Sequence, residues 1–173
     1  MRVSFEGASG NLEGILTIPG HTSLCPTVVV CHPHPLMGGN MDNNVVVGVC
    51  ESLQANGIAS LRFNFRGVGG SAGYHDKGIG EIDDVKCAIE YVKSKQGIDS
   101  GNLALSGYSF GASIALKTST DLNSLRGMSL ISLPGTKDNE LQNRWPNVPT
   151  QLIVGRLDKS DFVNGVPVLN NNL

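Results

Sequence analysis

Five short apolar runs constrain the fold of this chain more than any other feature: TVVVCHPH (27–34), IASLRFNF (58–65), NLALSG (102–107), GMSLISLP (127–134) and TQLIVG (150–155). Runs that are apolar almost throughout suit strands covered on both faces. Segments of helical length separate the first four. Met41–Asn56 ends at Gly57, a fitting residue for a helix C-terminus, and Ile79–Lys95 carries Ile82, Val85, Ile89 and Val92 at helical spacing. The third, Phe110–Ser119, follows NLALSG almost without a break, whereas a polar connection with little helical pattern leads into TQLIVG. Strands alternating with helices over short links predict an α/β fold with a mostly parallel sheet and helices on both faces. Before this pattern, RVSFEG and LEGILTIP alternate apolar and polar residues around Gly7–Asn11, which predicts an N-terminal β-hairpin.

With 173 residues, no internal repeat and no linker, residues 1–173 read as a single domain large enough to bury a core. The formal net charge is −2 and no basic run occurs, which argues against nucleic acid or an anionic membrane as a partner. The opening MRVSFEGASG has no apolar signal core, and no apolar run is long enough to span a bilayer. Cys25, Cys31, Cys50 and Cys87 lack Cys-x-x-Cys spacing and sit in apolar segments, so they read as small buried hydrophobes in a reducing compartment. These features predict a cytoplasmic protein.

Ligands of an open parallel sheet bind beyond the carboxyl ends of its strands. Three unusual sequences fall there. In SGYSFGA, Gly107 and Gly111 flank Ser109 as Gly-x-Ser-x-Gly between a strand and a helix. A serine at such a turn takes a strained backbone that lifts its oxygen clear of the sheet, and side chains beside it would clash. Phe110 then presents its backbone N–H, at a helix N-terminus, to a developing oxyanion. In HPHPLMGG, Pro33 and Pro35 have no N–H, leaving His34, Leu36 or Met37 as the second donor, with Leu36 preferred. His32 and His34 also form a His-x-His pair, but the prolines restrict the backbone and spacing supplies no third metal ligand. In GVGGSAG, Gly67, Gly69 and Ala72 nearly fit a dinucleotide fingerprint; no helix follows directly, so the segment reads as a loop, with Arg66 as a structural anchor. Past the last clear strand, Asp158 stands where the orienting acid of a triad belongs in chain order, with Asp161 as the alternative.

Taken together, HPHPLMGGNMDN, RFNFRGVGGSAG, GYSFGA and LIVGRLD resemble the α/β-hydrolase superfamily. More narrowly, they are similar to the small lidless bacterial hydrolases of its serine-aminopeptidase-like and dienelactone-hydrolase-like branch. The resemblance runs to about Asp161. It implies an eight-stranded, mostly parallel sheet and hydrolysis of a small ester, thioester or amide through an acyl-enzyme, with no metal or organic cofactor. By motif position it carries Ser109 as nucleophile, Asp158 as acid, and Phe110 and Leu36 as oxyanion donors.

Members of that branch continue past the acid turn with a helix, a final strand, a histidine loop and a closing helix. This sequence ends in NGVPVLNNNL instead, so the domain is expected to be truncated after about residue 161, with the final strand and helix missing. His21, His32, His34 and His75 all precede Ser109. His34 and His75 lie in loops at the same sheet edge as Ser109, and Asp76 beside His75 is a conceivable substitute acid. A neighbouring subunit that covers TQLIVG can also supply a histidine, which makes a homo-oligomer the expectation. The alternative function is a catalytically silent hydrolase-fold protein with a binding or scaffold role.

Overall fold

Alternation along single strands decides how the layers assemble. The computed structural model describes residues 1–20, 24–122, 124–134, 145 and 147–156. The hairpin forms from β1 (Arg2–Gly7) and β2 (Gly10–Thr17), paired from Arg2↔Ile15 to Gly7↔Gly10. There follow β3 (Cys25–Cys31), α1 (Asn44–Ala55), β4 (Ala59–Phe63), α2 (Gly80–Lys93), β5 (Ile98–Tyr108), α3 (Phe110–Ser119), β6 (Leu125–Ile131) and β7 (Thr150–Ile153). The sheet order is β1-β2-β4-β3-β5-β6-β7, antiparallel from β1 through β2 to β4 and parallel from β4 to β7.

On β3, Val28 and Val30 face one way and pack with Val46, Val49, Cys50 and Leu53 of α1. Val29 and Cys31 face the other way, into the larger core that α2 and α3 close with Val85, Ala88, Ile89, Val92, Ile114 and Leu116. Period-2 strands sandwiched between period-3.6 helices thus bury both faces of the sheet, as the sequence pattern predicts.

Helix α1 begins three residues later than Met41. Asn43 caps it by accepting the Val45 N–H at 3.0 Å, and the Met41 N–H is already donated to Asn64 Oδ1 at 2.8 Å. At the other end Gly57 takes φ 74°, with its N–H on Gln54 O and the Ile58 N–H on Leu53 O, so a residue without Cβ is required there. Cys31, Cys50 and Cys87 are free thiols. No helix among the described residues is long and apolar enough to cross a membrane. The expected end of the domain near residue 161, and the missing strand and helix, lie outside the described residues.

Candidate active site

Ser109 follows the last residue of β5, at the middle of the parallel sheet, and stands at the N-terminus of α3 with φ 54° and ψ −115°. Non-glycine residues enter that region only when the surroundings force them. Two contacts supply the force. The Ser109 N–H donates to Ile131 O at 2.8 Å, which ties the turn to β6, and Ser109 O accepts from Ala112 at 2.9 Å and Ser113 at 3.2 Å, which starts the helix. Both flanking glycines are demanded by packing. A Cβ on Gly107 would overlap the Gly111 carbonyl, and one on Gly111 would overlap the carbonyls of Cys31 and His32. Ser109 accepts no capping bond through its side chain, and the Phe110 and Gly111 amides that open α3 have no helix carbonyl behind them. A half-buried hydroxyl is therefore held beside unclaimed helix N–H groups.

The loop after β3 turns through a short 3-10 segment, Pro35–Met37, capped by His34. In this arrangement the Leu36 N–H donates to His34 Nδ1 at 3.2 Å. His32 is fully buried: its Nδ1–H donates to Pro33 O at 2.7 Å and its Nε2 accepts the Phe65 N–H at 3.1 Å. Burial pushes its pKa down to about 4, against the smaller opposing pull of the Pro33 carbonyl and the Glu81 charge. A neutral imidazole with both nitrogens engaged is a brace between β3 and the end of β4. That disposes of the His-x-His metal pair, and no group of three metal-ligating side chains occurs among the described residues.

His75 has a different acid beside it from the one its sequence neighbour suggests. Asp76 Oδ2 accepts the Gly80 N–H at 3.1 Å, whereas Glu81 Oε1 lies 2.8 Å from His75 Nδ1, in close contact though without the alignment of a hydrogen bond. Glu81 is fully buried and accepts the N–H groups of Asp76 at 2.9 Å and Gly78 at 2.8 Å. Burial raises its pKa, but amide bonds from Asp76, its own backbone and Gly78, with the nearby His75, outweigh that and hold it below the usual carboxylate range. The His75 ring stands 5.0 Å from His34 and 5.6 Å from Phe110, and His34 stands 4.9 Å from Phe110. These three rings form part of the wall of an open cleft of about 1020 Å³, which also takes in Leu36, Tyr74 and Lys77; Ser109 is not part of its lining.

The glycine-rich segment 67–73 is a loop, as its sequence suggests. Glu13 on β2 reaches across to accept the Gly70 N–H at 2.7 Å and the Asn64 side-chain amide at 2.6 Å. A Cβ on Gly69 or Gly70 would strike that carboxylate, so the glycines serve loop packing. Arg66 anchors the loop from below: Asp84 on α2 accepts its N–H at 3.0 Å and its Nη2 at 2.8 Å, with both groups buried. Gly80 is glycine because the Arg66 guanidinium occupies the space of a Cβ.

The fold agrees with that of known proteins. The model of the family described as serine aminopeptidase, S33, matches residues 24–159. The chain belongs to this family. Among solved structures, an α/β serine hydrolase without lid from Xanthomonas campestris aligns with a TM-score of 0.76 and 34% identity, over 89% of this chain and 69% of that one. An α/β serine hydrolase homologue from Coxiella burnetii aligns with a TM-score of 0.77 and 29% identity, over 90% of this chain and 86% of that one. An uncharacterised protein of Rickettsia prowazekii (strain Madrid E) is 41% identical over 116 residues, 67% of this chain and 48% of the relative. The chain thus spans about half the length of that curated relative.

Within this S33-family chain, the structure brings Phe110, His34, His75 and Leu36 to the wall of one cleft. Asp158 and Asp161 lie outside the described residues. Sequence reasoning missed Glu81 as the partner of His75, since Asp76 is the neighbour in sequence. The available signal was helical position: Glu81 lies in the first turn of α2, where its carboxylate turns back to the amides of the preceding loop.

Proposed function

We propose that the chain hydrolyses a small ester, thioester or amide through an acyl-enzyme on Ser109. The observation that carries this reading is the backbone of Ser109, φ 54° and ψ −115°, kept between two glycines whose Cβ atoms would have no room. Strain of this kind persists where the surroundings over-determine it, and it clusters at reacting groups. Ser109 Oγ attacks the carbonyl carbon and its proton passes to an imidazole. The negative oxygen that forms is held by the Phe110 N–H and by the Leu36 N–H, which turns from His34 Nδ1 to the substrate. Collapse of the tetrahedral intermediate expels the leaving group with that proton, and water then attacks the acyl carbon and releases the acid. His34 and His75 are the two imidazoles at the cleft, and His75 has the Glu81 carboxylate behind it. Asp158 holds the acid position of the family motif.

A second reading is a hydrolase-shaped binding protein. It is favoured by the cleft itself, whose lining takes in Phe110, His34 and His75 but not Ser109. A fluorophosphonate probe separates the two, with labelling read by intact mass beside Ser109→Ala. Rapid labelling that disappears in the variant establishes an activated serine, and its loss in His75→Ala or His34→Ala identifies the base. No labelling under conditions that modify an ordinary serine hydrolase refutes the acyl-enzyme reading. Slow ester turnover alone decides nothing, because an oxyanion hole without a base can retain about 10³–10⁴-fold acceleration over water.

A further inference from the structure

The cleft beside Phe110 has an uneven chemistry. Among the described residues of its lining, Lys77 is the one ammonium beside two imidazoles, and no carboxylate is present. Described acids around it are committed elsewhere: Asp76 to the Gly80 amide, Glu81 to the amides of Asp76 and Gly78 and to the His75 edge, and Glu13, behind Gly69, to the Gly70 amide. Lys77 is exposed and has no hydrogen bond or ion pair among the described residues. Its backbone is also unusual. Lys77 takes φ 54°, one of three described non-glycine residues with positive φ, the others being Ser109 and Ser132. Gly73 and Gly78 nearby take φ 83° and 86° as glycines, so an unhindered residue for such a conformation is in use on either side of the lysine. Beside Asn40 and Ser71 the lining also carries exposed apolar surface: Leu36 is 75% exposed and Tyr74 88% exposed, where an apolar ligand would cover them.

We propose that Lys77 makes this cleft selective for anionic compounds, a carboxylate carried on an apolar body that lies against Leu36, Tyr74 and Phe110. In turnover this rests on the acyl-enzyme reading above; in binding it does not. An ammonium at the lip of a cleft whose described lining holds no carboxylate attracts such a group and gains a charge-assisted hydrogen bond when it arrives. Because Lys77 is exposed, the attraction is screened by salt and modest in size.

The test uses the Ser109→Ala protein, so that nothing turns over, titrated with 4-phenylbutyrate and with its uncharged amide by protein-observed NMR. The expected result is about fivefold tighter binding of the carboxylate at low salt, a gap that closes at ~0.5 M salt. The gap should also close in Lys77→Gly, a substitution that accepts φ 54° without strain and so keeps the loop, and it should persist in Lys77→Arg. Equal affinity for the two compounds, failure of the carboxylate to bind, or a gap that survives in Lys77→Gly overturns the proposal. With Ser109 restored, the ratio of kcat/KM for a 4-nitrophenyl hemiglutarate to that for 4-nitrophenyl butyrate should fall in Lys77→Gly. Lys77-dependent binding without any turnover would sink the hydrolase reading and support this one. Turnover with no preference for the charged ester would do the reverse.

Discussion

Replacing Ser109 by glycine should make the protein more stable while removing the group it is built around. A serine at φ 54° and ψ −115° occupies a region that costs a residue with a Cβ about 1–3 kcal/mol. Glycine relieves that strain but brings about 0.5–1 kcal/mol of extra backbone freedom to the unfolded chain. The hydroxyl makes no capping bond that would be lost. Relative to Ser109→Ala, which keeps the strain and removes only the oxygen, Ser109→Gly should gain about 1 kcal/mol, or about 2–4 °C in Tm for a chain of this size. Calorimetry of the two variants at one pH measures the difference, with a control pair at Ser113, four residues on and inside α3. There, Ser113→Gly should be less stable than Ser113→Ala by about 1 kcal/mol, since helical backbone gains nothing from glycine. If Ser109→Gly were also less stable than Ser109→Ala, the backbone at this turn would not be strained and the argument for a reacting serine would lose its footing.

Three further outcomes follow from the packing. His32 has a folded-state pKa of about 4 against an ordinary 6.5, so the unfolded chain takes up the proton first as pH falls. Stability attached to this group is therefore intact above pH 6.5 and lost progressively down to about pH 4, by about 3 kcal/mol in all; urea midpoints should show a flatter pH dependence for His32→Gln over that window. Asp84→Asn should destabilise by about 3–5 kcal/mol because it leaves the Arg66 guanidinium buried without its counter-charge, whereas Arg66→Met with Asp84→Leu should cost clearly less in the same denaturation assay. Among the described residues β7 is the outermost parallel strand and leaves Ile153 43% exposed, and sedimentation should show concentration-dependent self-association that Ile153→Lys abolishes; identical sedimentation of both proteins at every concentration would refute pairing through this strand.

The order of strands and helices, the hairpin and the glycine-flanked elbow were legible in the sequence because each depends on near neighbours. Alternation along TVVVC places Val28 and Val30 on one face and Val29 and Cys31 on the other, whatever lies across the sheet. Gly-Tyr-Ser-Phe-Gly announces a turn that excludes Cβ atoms at its first and last positions, and the backbone of the motif itself accounts for the clash at Gly107. The start of α1 was read three residues early because Met41 continues the apolar pattern, while a side chain 23 residues away, Asn64, takes its amide out of the helix.

What the tertiary structure decided is which polar groups meet. His32 and His34 are equivalent in a sequence motif, yet one is a sealed brace to Phe65 and the other a ring at the cleft, because burial removes the first from water and leaves the second beside it. His75 pairs with Glu81 instead of Asp76 because the turn into α2 brings the carboxylate back to amides it can satisfy. Among the described residues Lys77 has no ion-pair partner, because Asp76 and Glu81 are already occupied by backbone N–H groups. Periodicity and steric exclusion act over a few residues and leave their mark in the string of letters. Charge and hydrogen-bond partnership act over ångströms in space between residues far apart in the chain, and only the folded sheet sets those distances.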